Sequence, residues 1–251
     1  MEREILITDL TAMGGDRVCI AGIDLKWNTI RPVFAWTSPT RSHLFQGSHT
    51  LIRPRAVVAM KLEAHANPVT PHVEDHIWTR PYSARYVKLL DEANWQKTLH
   101  GLVERCPRPL FGAALHSLGR DRNRIVRPGD ATHSLTTVRC ARSLVFRLSE
   151  KDGGGFRYAL SFYDDQSEVY QNIPVTDLGL RAWATVKLGQ GESLQPISDW
   201  LGRQLNAAQH VYLRLGLTRE YEGKFWLQVN GVYSFPDWLE GRCFADFADA
   251  P

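Results

Sequence analysis

Residues 143–175 of the chain read SLVFRLSEKDGGGFRYALSFYDDQSEVYQNIPV, and this stretch has the pattern of three successive β-strands. The strands are predicted at Leu144–Leu148, Phe156–Tyr163 and Val169–Val175, because each alternates in polarity or is rich in β-branched and aromatic residues. The glycines at 153–155 predict a turn between the first two strands, since glycine adopts a positive φ without steric cost.

A helix and two further strands are predicted downstream. Pro196 stands in the first turn of the helix, where a missing backbone N–H costs nothing. The helix has an apolar stripe at helical spacing, formed by Ile197, Trp200, Leu201, Leu205 and Ala208. The strands are predicted at His210–Thr218 and Phe225–Phe235, joined by a turn at Glu220–Gly223. Three strands, a helix and two strands is the element order of the OB-fold, a small closed barrel that often binds oligonucleotides.

The first half of the chain has a similar, β-rich pattern. Strands are predicted at Ile5–Ile7, Arg17–Ile23, Thr29–Phe34 and Ala56–Ala64, and a helix is predicted to begin near Asp91. We therefore expect a mainly β protein of two OB-like five-stranded barrels packed together, each with an inserted helix. The predicted domains are residues 1–135, a barrel with a helical insertion, and residues 136–251, a barrel with its helix between strands three and four.

Composition and charge are those of an ordinary globular protein. The 251 residues are 43% hydrophobic and 23% charged, with a formal net charge of +3 that favours an anionic partner without requiring one. The four cysteines are scattered without CxxC spacing, which is typical of a reducing compartment and argues against a zinc site. No secretory signal and no bilayer-length apolar run is visible, so we expect a cytoplasmic protein with no membrane partner.

Several segments, spread over nearly the whole chain, resemble a family of bacterial proteins described as dual OB-containing. The matching segments are Ile5–Thr11, Gly14–Gly22, Ile30–Val33, Val126–Gly129, Val211–Arg219 and Leu227–Asp237. The resemblance implies two consecutive OB-like barrels and a role with nucleic acid, in a setting of mobile-element or defence genes. It brings no catalytic residues with it.

Alternation in the second barrel predicts an outward set of side chains that mixes cations with aromatic rings. Single-strand binders need this mixture, because cations neutralise phosphates while aromatic faces stack on bases. The predicted nucleic-acid-binding residues of this set are Arg147, Arg157, Tyr163, Tyr212, Arg214, Lys224, Trp226 and Gln228, with Lys151 at the rim. An alternative interpretation is equally open, in which Tyr212 and Trp226 pack beneath the first barrel and their neighbours form a seam between domains.

Two further clusters are candidates for a site. Arg120, Arg122 and Arg124 lie in a basic loop that is suited to a phosphate backbone, although an exposed loop kept soluble by its charge is the commoner case. His72, Glu74 and His76 are metal-ligand types within one short segment, but their spacing matches no metal motif. We therefore expect no metal site there and regard these three as weak candidates.

The function predicted from these features is non-catalytic binding of single-stranded or structured DNA or RNA, as a component of a larger bacterial complex. The chain has neither a phosphate-binding GxxxxGK[ST] loop nor a GxSxG elbow, and we expect no catalytic residue and no cofactor. One alternative is an adaptor that binds a partner protein through the same aromatic and basic face, because Tyr, Trp and Arg are also enriched at protein interfaces. A metal-dependent nuclease that uses the histidine cluster is the third hypothesis.

Overall fold

The computed structural model describes residues 1–106, 108–118 and 123–247 of the chain. In this part of the chain the helices are α1 (Glu92–Glu104), α2 (Leu178–Gly189) and α3 (Leu194–Ala207). The strands are β1 (Glu2–Ala12), β2 (Val18–Asp24), β3 (Thr29–Val33), β4 (Phe45–Gln46), β5 (His49–Thr50), β6 (Ala56–Ala64), β7 (Asp75–Trp78), β8 (Arg85–Leu89), β9 (His116–Leu118), β10 (Asn123–Val126), β11 (Leu135–Glu150), β12 (Phe156–Asp164), β13 (Val169–Pro174), β14 (His210–Leu217) and β15 (Phe225–Phe235).

The first half forms a closed five-stranded barrel. Its strands follow the order β1-β2-β3-β7-β6, and β6 pairs back onto β1 to close the ring. All the pairs are antiparallel except β3 and β7, which run parallel. The interior is aliphatic, with Ile7, Ile20 and Met60 fully buried, and β8 extends the sheet along one edge of β6.

The second half repeats this strand order with β13, β12, β11, β14 and β15. A parallel bridge between Val175 and Val229 joins the ends of this sheet, and the Thr176 N–H donates to the Val229 carbonyl at 2.8 Å. Helices α2 and α3 stand between β13 and β14, and Ile197, Leu201 and Leu205 of α3 pack into the barrel core. The predicted fold class, a mainly β protein with two OB-like barrels, is confirmed.

Helix α3 also protects an open strand edge. β14 pairs with β11 only over Leu135–Arg139, so the later part of β11 has no strand on that side. Asn206 takes the place of a strand by accepting from the Leu144 N–H at 2.9 Å and donating to the Leu144 carbonyl at 2.7 Å. Ser198 accepts from the Leu148 N–H at 3.0 Å. These bonds satisfy backbone groups that would otherwise offer a pairing edge to another chain.

Some elements differ from those expected from the sequence. β1 continues through Thr8, Asp9 and Leu10, where the polar pair had suggested a strand end. Helix α2 was not predicted, because its twelve residues are mostly apolar and show no clear alternation of faces. Helix α1 begins after its N-cap Asp91, as expected, and that side chain accepts from the Asn94 N–H. The domain boundary after residue 135 stays a prediction; β9 and β10, which precede it, extend the second sheet beside β15.

A polar seam joins the two barrels. Asp9 of β1 and Arg214 of β14 form a buried ion pair with an Nε–Oδ1 distance of 2.9 Å, and Arg214 also donates to Thr137 Oγ1 at 2.7 Å. The Tyr233 hydroxyl donates to the Thr8 carbonyl at 2.6 Å. Each of these two contacts joins a residue of β1, in the first barrel, to a residue of the second barrel. Together they fix the relative position of the barrels.

A second group of polar contacts extends the seam. Arg31 pairs with Asp75 at 2.5 Å and donates to Ser134 Oγ at 3.3 Å. The buried Glu74 carboxylate accepts from the backbone N–H of Ser134 at 2.6 Å and of Leu135 at 3.1 Å. Glu74 therefore binds the start of β11 to the first barrel through charge-assisted hydrogen bonds.

Apolar contacts complete the seam. Ile23 of β2 and Trp95 and Leu99 of α1 form one buried cluster with Tyr212 and Phe235 of the second barrel. Because this cluster excludes water from the neighbouring ion pairs, the loss of either charged partner leaves the other without a solvent shell.

Replacing Asp9 with alanine is expected to lower the free energy of unfolding by about 3–5 kcal/mol, because Arg214 would become an unpaired buried charge. Asp9→Leu combined with Arg214→Met should recover much of that loss. Chemical denaturation followed by circular dichroism measures both. The control is Arg85→Ala, which removes an exposed pair with Glu2 and is expected to cost about 0–1 kcal/mol. Equal losses for Asp9→Ala and Arg85→Ala would contradict a stabilising role for the buried pair.

Candidate nucleic-acid interface

The outer face of β2 and β3 in the first barrel is covered by the second barrel and α1. Val18 and Ile20 point into the barrel, so Ala21 and Ile23 point outward, and both are buried. Arg31 of β3 is equally buried and contacts Ser134. Strands two and three form the face on which OB-folds bind oligonucleotides. In the first barrel this face is therefore closed to a ligand.

In the second barrel, the outer surface of strands one and two, β11 and β12, is open. Phe146, Leu148 and Leu160 point into the core, so their neighbours on β11 and β12 point outward, and several of these, although not Ala159, reach solvent. Val145 is 53% exposed and Tyr163 is 42% exposed. We call the outward side chains of β11 and β12, together with one lysine of their connecting loop, the basic face; they are Val145, Arg147, Arg157, Tyr163 and Lys151.

The cations of the basic face are free to bind a ligand. Arg147 lies opposite Ala159 and Arg157 lies opposite Ser149, so the two arginines sit on neighbouring strands with a two-residue offset. Within the described ranges, neither arginine side chain forms an ion pair or a hydrogen bond with the protein, and the same holds for Lys151. Unpaired guanidinium groups on one surface suit phosphate oxygens, which they bind by paired N–H donors.

The loop beside the basic face has the backbone predicted for it. Gly153, Gly154 and Gly155 have φ angles of +86°, +97° and +78°, and a Cβ at any of the three would meet nothing within 4 Å. The open space shows that these glycines serve the turn's backbone conformation and not a close contact. The turn therefore places Lys151 at the rim of the exposed face.

Tyr212 and Arg214 do not face solvent, and the prediction that they do is wrong. Only 1% of Arg214 is exposed, and it is paired with Asp9; Tyr212 is buried against Phe235 in the seam. Their side chains point out of the second barrel, as alternation requires, but that side of β14 is covered by the first barrel. The seam interpretation describes these two residues, and neither is accessible to a nucleic acid.

Lys224, just before β15, and Trp226 and Gln228 on β15 are half-buried and lie away from the basic face. β13 separates β15 from β12, and β14 separates it from β11. The Trp226 indole N–H donates to the Tyr221 carbonyl at 3.3 Å, and the Lys224 ammonium donates to the Glu222 carbonyl at 3.0 Å. Both side chains thus contact their own hairpin turn, and the structure does not bring this trio together with Arg147 and Arg157.

The arginine-rich loop is described only in part. Arg120 and Arg122 lie outside the described residues. Arg124 is half-buried, donates to Glu168 at 2.9 Å and to the Val169 carbonyl at 2.7 Å, and lies over the Tyr170 ring. Its guanidinium therefore connects β10 to the start of β13.

The weak metal candidates are engaged in protein contacts. His72 Nε2 donates to the Thr218 carbonyl at 3.1 Å, Glu74 holds the start of β11, and His76 lies 3.3 Å from Arg3. Burial and the nearby Arg31 and Arg219 lower the pKa of His72 to about 3, so the ring is neutral at physiological pH. Among the described residues, no three His, Cys, Asp or Glu side chains are grouped to hold a metal ion.

Val145 is a residue of the open face that the sequence analysis did not single out. Its position between Leu144 and Phe146, both buried, is the signal that places it outward. An exposed aliphatic side chain next to Arg147 gives the face an apolar surface that a base can contact.

Comparisons with known proteins agree with this architecture. A family model described as a dual OB-containing domain matches residues 4–232. A search of curated proteins gave no match. In the described part of the chain, no helix is both long and apolar enough to cross a membrane.

His72 is expected to make stability depend on pH. The pKa of about 3 in the folded state lies below the ordinary 6.5, so the unfolded chain takes up this proton first as the pH falls. The contribution of His72 is therefore complete above pH 6.5 and is lost progressively as the pH falls towards 3. At pH 5 the loss should be about 2 kcal/mol.

Denaturant unfolding of the wild type and of His72→Gln between pH 7 and pH 5 measures this effect. Glutamine can still donate to the Thr218 carbonyl but does not titrate, so the variant should lose less stability over this range. His49→Gln, at an exposed histidine of β5, serves as the control. Identical pH profiles for wild type and His72→Gln would show that the histidine is not held neutral by its surroundings.

Proposed function

Because this chain belongs to the dual OB-containing domain family, we propose that it is a non-catalytic protein that binds single-stranded DNA or RNA through the basic face of its second barrel. The OB-fold is a frequent oligonucleotide-binding architecture. The proposal extends to a role as one component of a larger bacterial assembly, and this extension rests on the family resemblance alone.

One observation carries the proposal. The two barrels have the same strand order, but the oligonucleotide face of the first is covered, whereas among the described residues the second exposes outward side chains of its strands one and two, β11 and β12. Within the described residues, the two arginine side chains of this open face have no partner in the protein. The ligand face of the first barrel is closed, and the second barrel offers an accessible basic surface that includes its strand two, so the second barrel is the better candidate for the binding module.

The chemistry of the basic face suits a flexible single strand. Arg147, Arg157 and Lys151 supply positive charge along neighbouring strands, and Tyr163 offers a half-exposed ring for stacking. A stacked base adds about 1–3 kcal/mol whatever its sequence, because every base has a π-face. Because bases of a flexible strand can stack on the exposed Tyr163 ring, a preference for single strands over duplexes is part of the proposal.

Substitutions at the basic face should separate charge from stacking. Arg147→Ala and Arg157→Ala are each expected to weaken binding and to reduce the salt slope, d log K/d log [salt], by about 0.7 in magnitude. Tyr163→Ala should weaken binding by about 1–3 kcal/mol at every salt concentration, because stacking is not screened. Fluorescence anisotropy of labelled single-stranded and duplex DNA and RNA over a salt series measures both.

Lys97→Ala is the matched control, because it removes an exposed positive charge from α1 and lies outside the basic face. It should leave affinity and salt slope close to those of the wild type. Equal effects of Lys97→Ala and Arg147→Ala would show that only the net charge matters. A wild-type protein that binds no strand at low salt, yet co-purifies with one defined protein after nuclease treatment, would replace this proposal with the adaptor function.

A further inference from the structure

Four aromatic rings of the first barrel are packed together where β3 and β7 end. His43 contacts Phe34, Trp78 and Tyr82, with ring centroids 4.9, 6.1 and 5.2 Å away. We call these four residues the aromatic cluster. Phe34 follows β3 directly, Trp78 is the last residue of β7, and the two strands are parallel, so the cluster lies at one end of the barrel.

The outermost ring of the cluster is held in place on one side and open on the other. Tyr82 is 81% exposed, while its inner face stacks on His43 at an interplanar angle of 25°. His43 is itself fixed, because its Nδ1 accepts from the Thr40 N–H at 3.2 Å and lies 2.8 Å from Thr40 Oγ1. The stack therefore ends in a preorganised ring whose outer face has no neighbour from the cluster.

A second exposed ring stands close by in the sequence. Trp36 follows Phe34 by two residues and is 97% exposed. Exposing a whole indole to water is unfavourable, because burying an aromatic ring lowers the free energy in proportion to the area buried. Large rings exposed in and near the aromatic cluster are consistent with a surface that a ligand covers.

The charge of this surface indicates an anionic ligand. The segments 25–62 and 77–90, which build the cluster and its surroundings, contain no Asp and no Glu. Arg80 lies between Trp78 and Tyr82 in the sequence and is exposed, and the exposed Arg41 forms a long ion pair with Asp16 at 4.0 Å. Aromatic rings flanked by exposed arginines favour a ligand that carries both flat rings and negative charge, although Asp16 and Glu63 also lie near this surface.

We propose that the aromatic cluster, with Trp36, is a second base-stacking site for single-stranded nucleic acid, in which a base extends the stack on Tyr82 and the adjoining phosphates contact Arg80 and Arg41. The inference rests on the proposed function and adds a contact from the other barrel. The β2–β3 face of the first barrel is buried in the seam. The first barrel would therefore contact the nucleic acid through the end that carries the aromatic cluster.

Titration of a labelled 30-nucleotide single strand with Tyr82 variants tests this site. Tyr82→Ala should weaken binding by about 5- to 150-fold, the loss of one stacked base, with an unchanged salt slope. Tyr82→Phe keeps the ring and should bind like the wild type. Tyr86→Ala is the matched control, because Tyr86 is a half-exposed tyrosine of β8 outside the cluster. Circular dichroism melting confirms that each variant is folded.

Photocrosslinking locates the contact directly. A strand carrying 5-iodouracil should crosslink to peptides that contain Trp36 or Tyr82, and Tyr82→Ala should remove the second of these crosslinks.

If Tyr82→Ala binds like Tyr86→Ala and neither peptide crosslinks, while Arg147→Ala weakens binding, this inference fails and the proposed function stands. If Tyr82→Ala weakens binding and the basic-face variants do not, the aromatic cluster is the binding site and the basic face is not. A wild type that binds no single strand at low salt overturns both.

Discussion

The buried ion pair between Asp9 and Arg214 is the contact on which the arrangement of this protein depends. Each partner belongs to a different barrel, and water is excluded from both. Two charges in a dry environment are stable only in one geometry, because separation leaves each without a solvent shell. Arg31 with Asp75, and Glu74 with the start of β11, extend the same constraint along the seam. The apolar cluster around Trp95 and Tyr212 supplies the burial, and the polar contacts select the relative position of the barrels.

That position makes two barrels of the same topology unequal. The outer face of β2 and β3 is buried in the seam, whereas the outer face of β11 and β12 stays open to solvent. Among the described residues, the seam leaves two arginine hydrogen-bond donors unsatisfied. The Nη2 of Arg31 and the Nη2 of Arg214 are each buried, with no partner in that part of the chain. A buried donor without an acceptor is unfavourable, so the surrounding contacts must outweigh it. The packed barrels thus hold the basic face and the aromatic cluster in a fixed relation to each other.

Much of the second barrel was predictable because its signals are local. The glycine turn at 153–155, the apolar stripe of α3 and the alternation of β12 and β15 depend on neighbours a few residues away, and each lies where the sequence places it. Helix α2 was missed because a short, evenly apolar segment has no period to distinguish a buried helix from other buried structure. The aromatic cluster was missed for another reason. Phe34, His43 and Tyr82 are separated by irregular segments, and only the parallel pairing of β3 with β7 brings them together.

Alternation along each strand was determined by the sequence itself. It correctly assigned Arg147, Arg157, Tyr163, Tyr212 and Arg214 to the side of the second barrel that faces away from its core. Tertiary structure alone decided which of these side chains meet water. Alternation is a property of one strand, whereas exposure depends on what another part of the chain, up to 205 residues away in the case of Asp9 and Arg214, packs against it. Tyr212 and Arg214 therefore became part of the seam, while Arg147, Arg157 and Tyr163 remained on the surface.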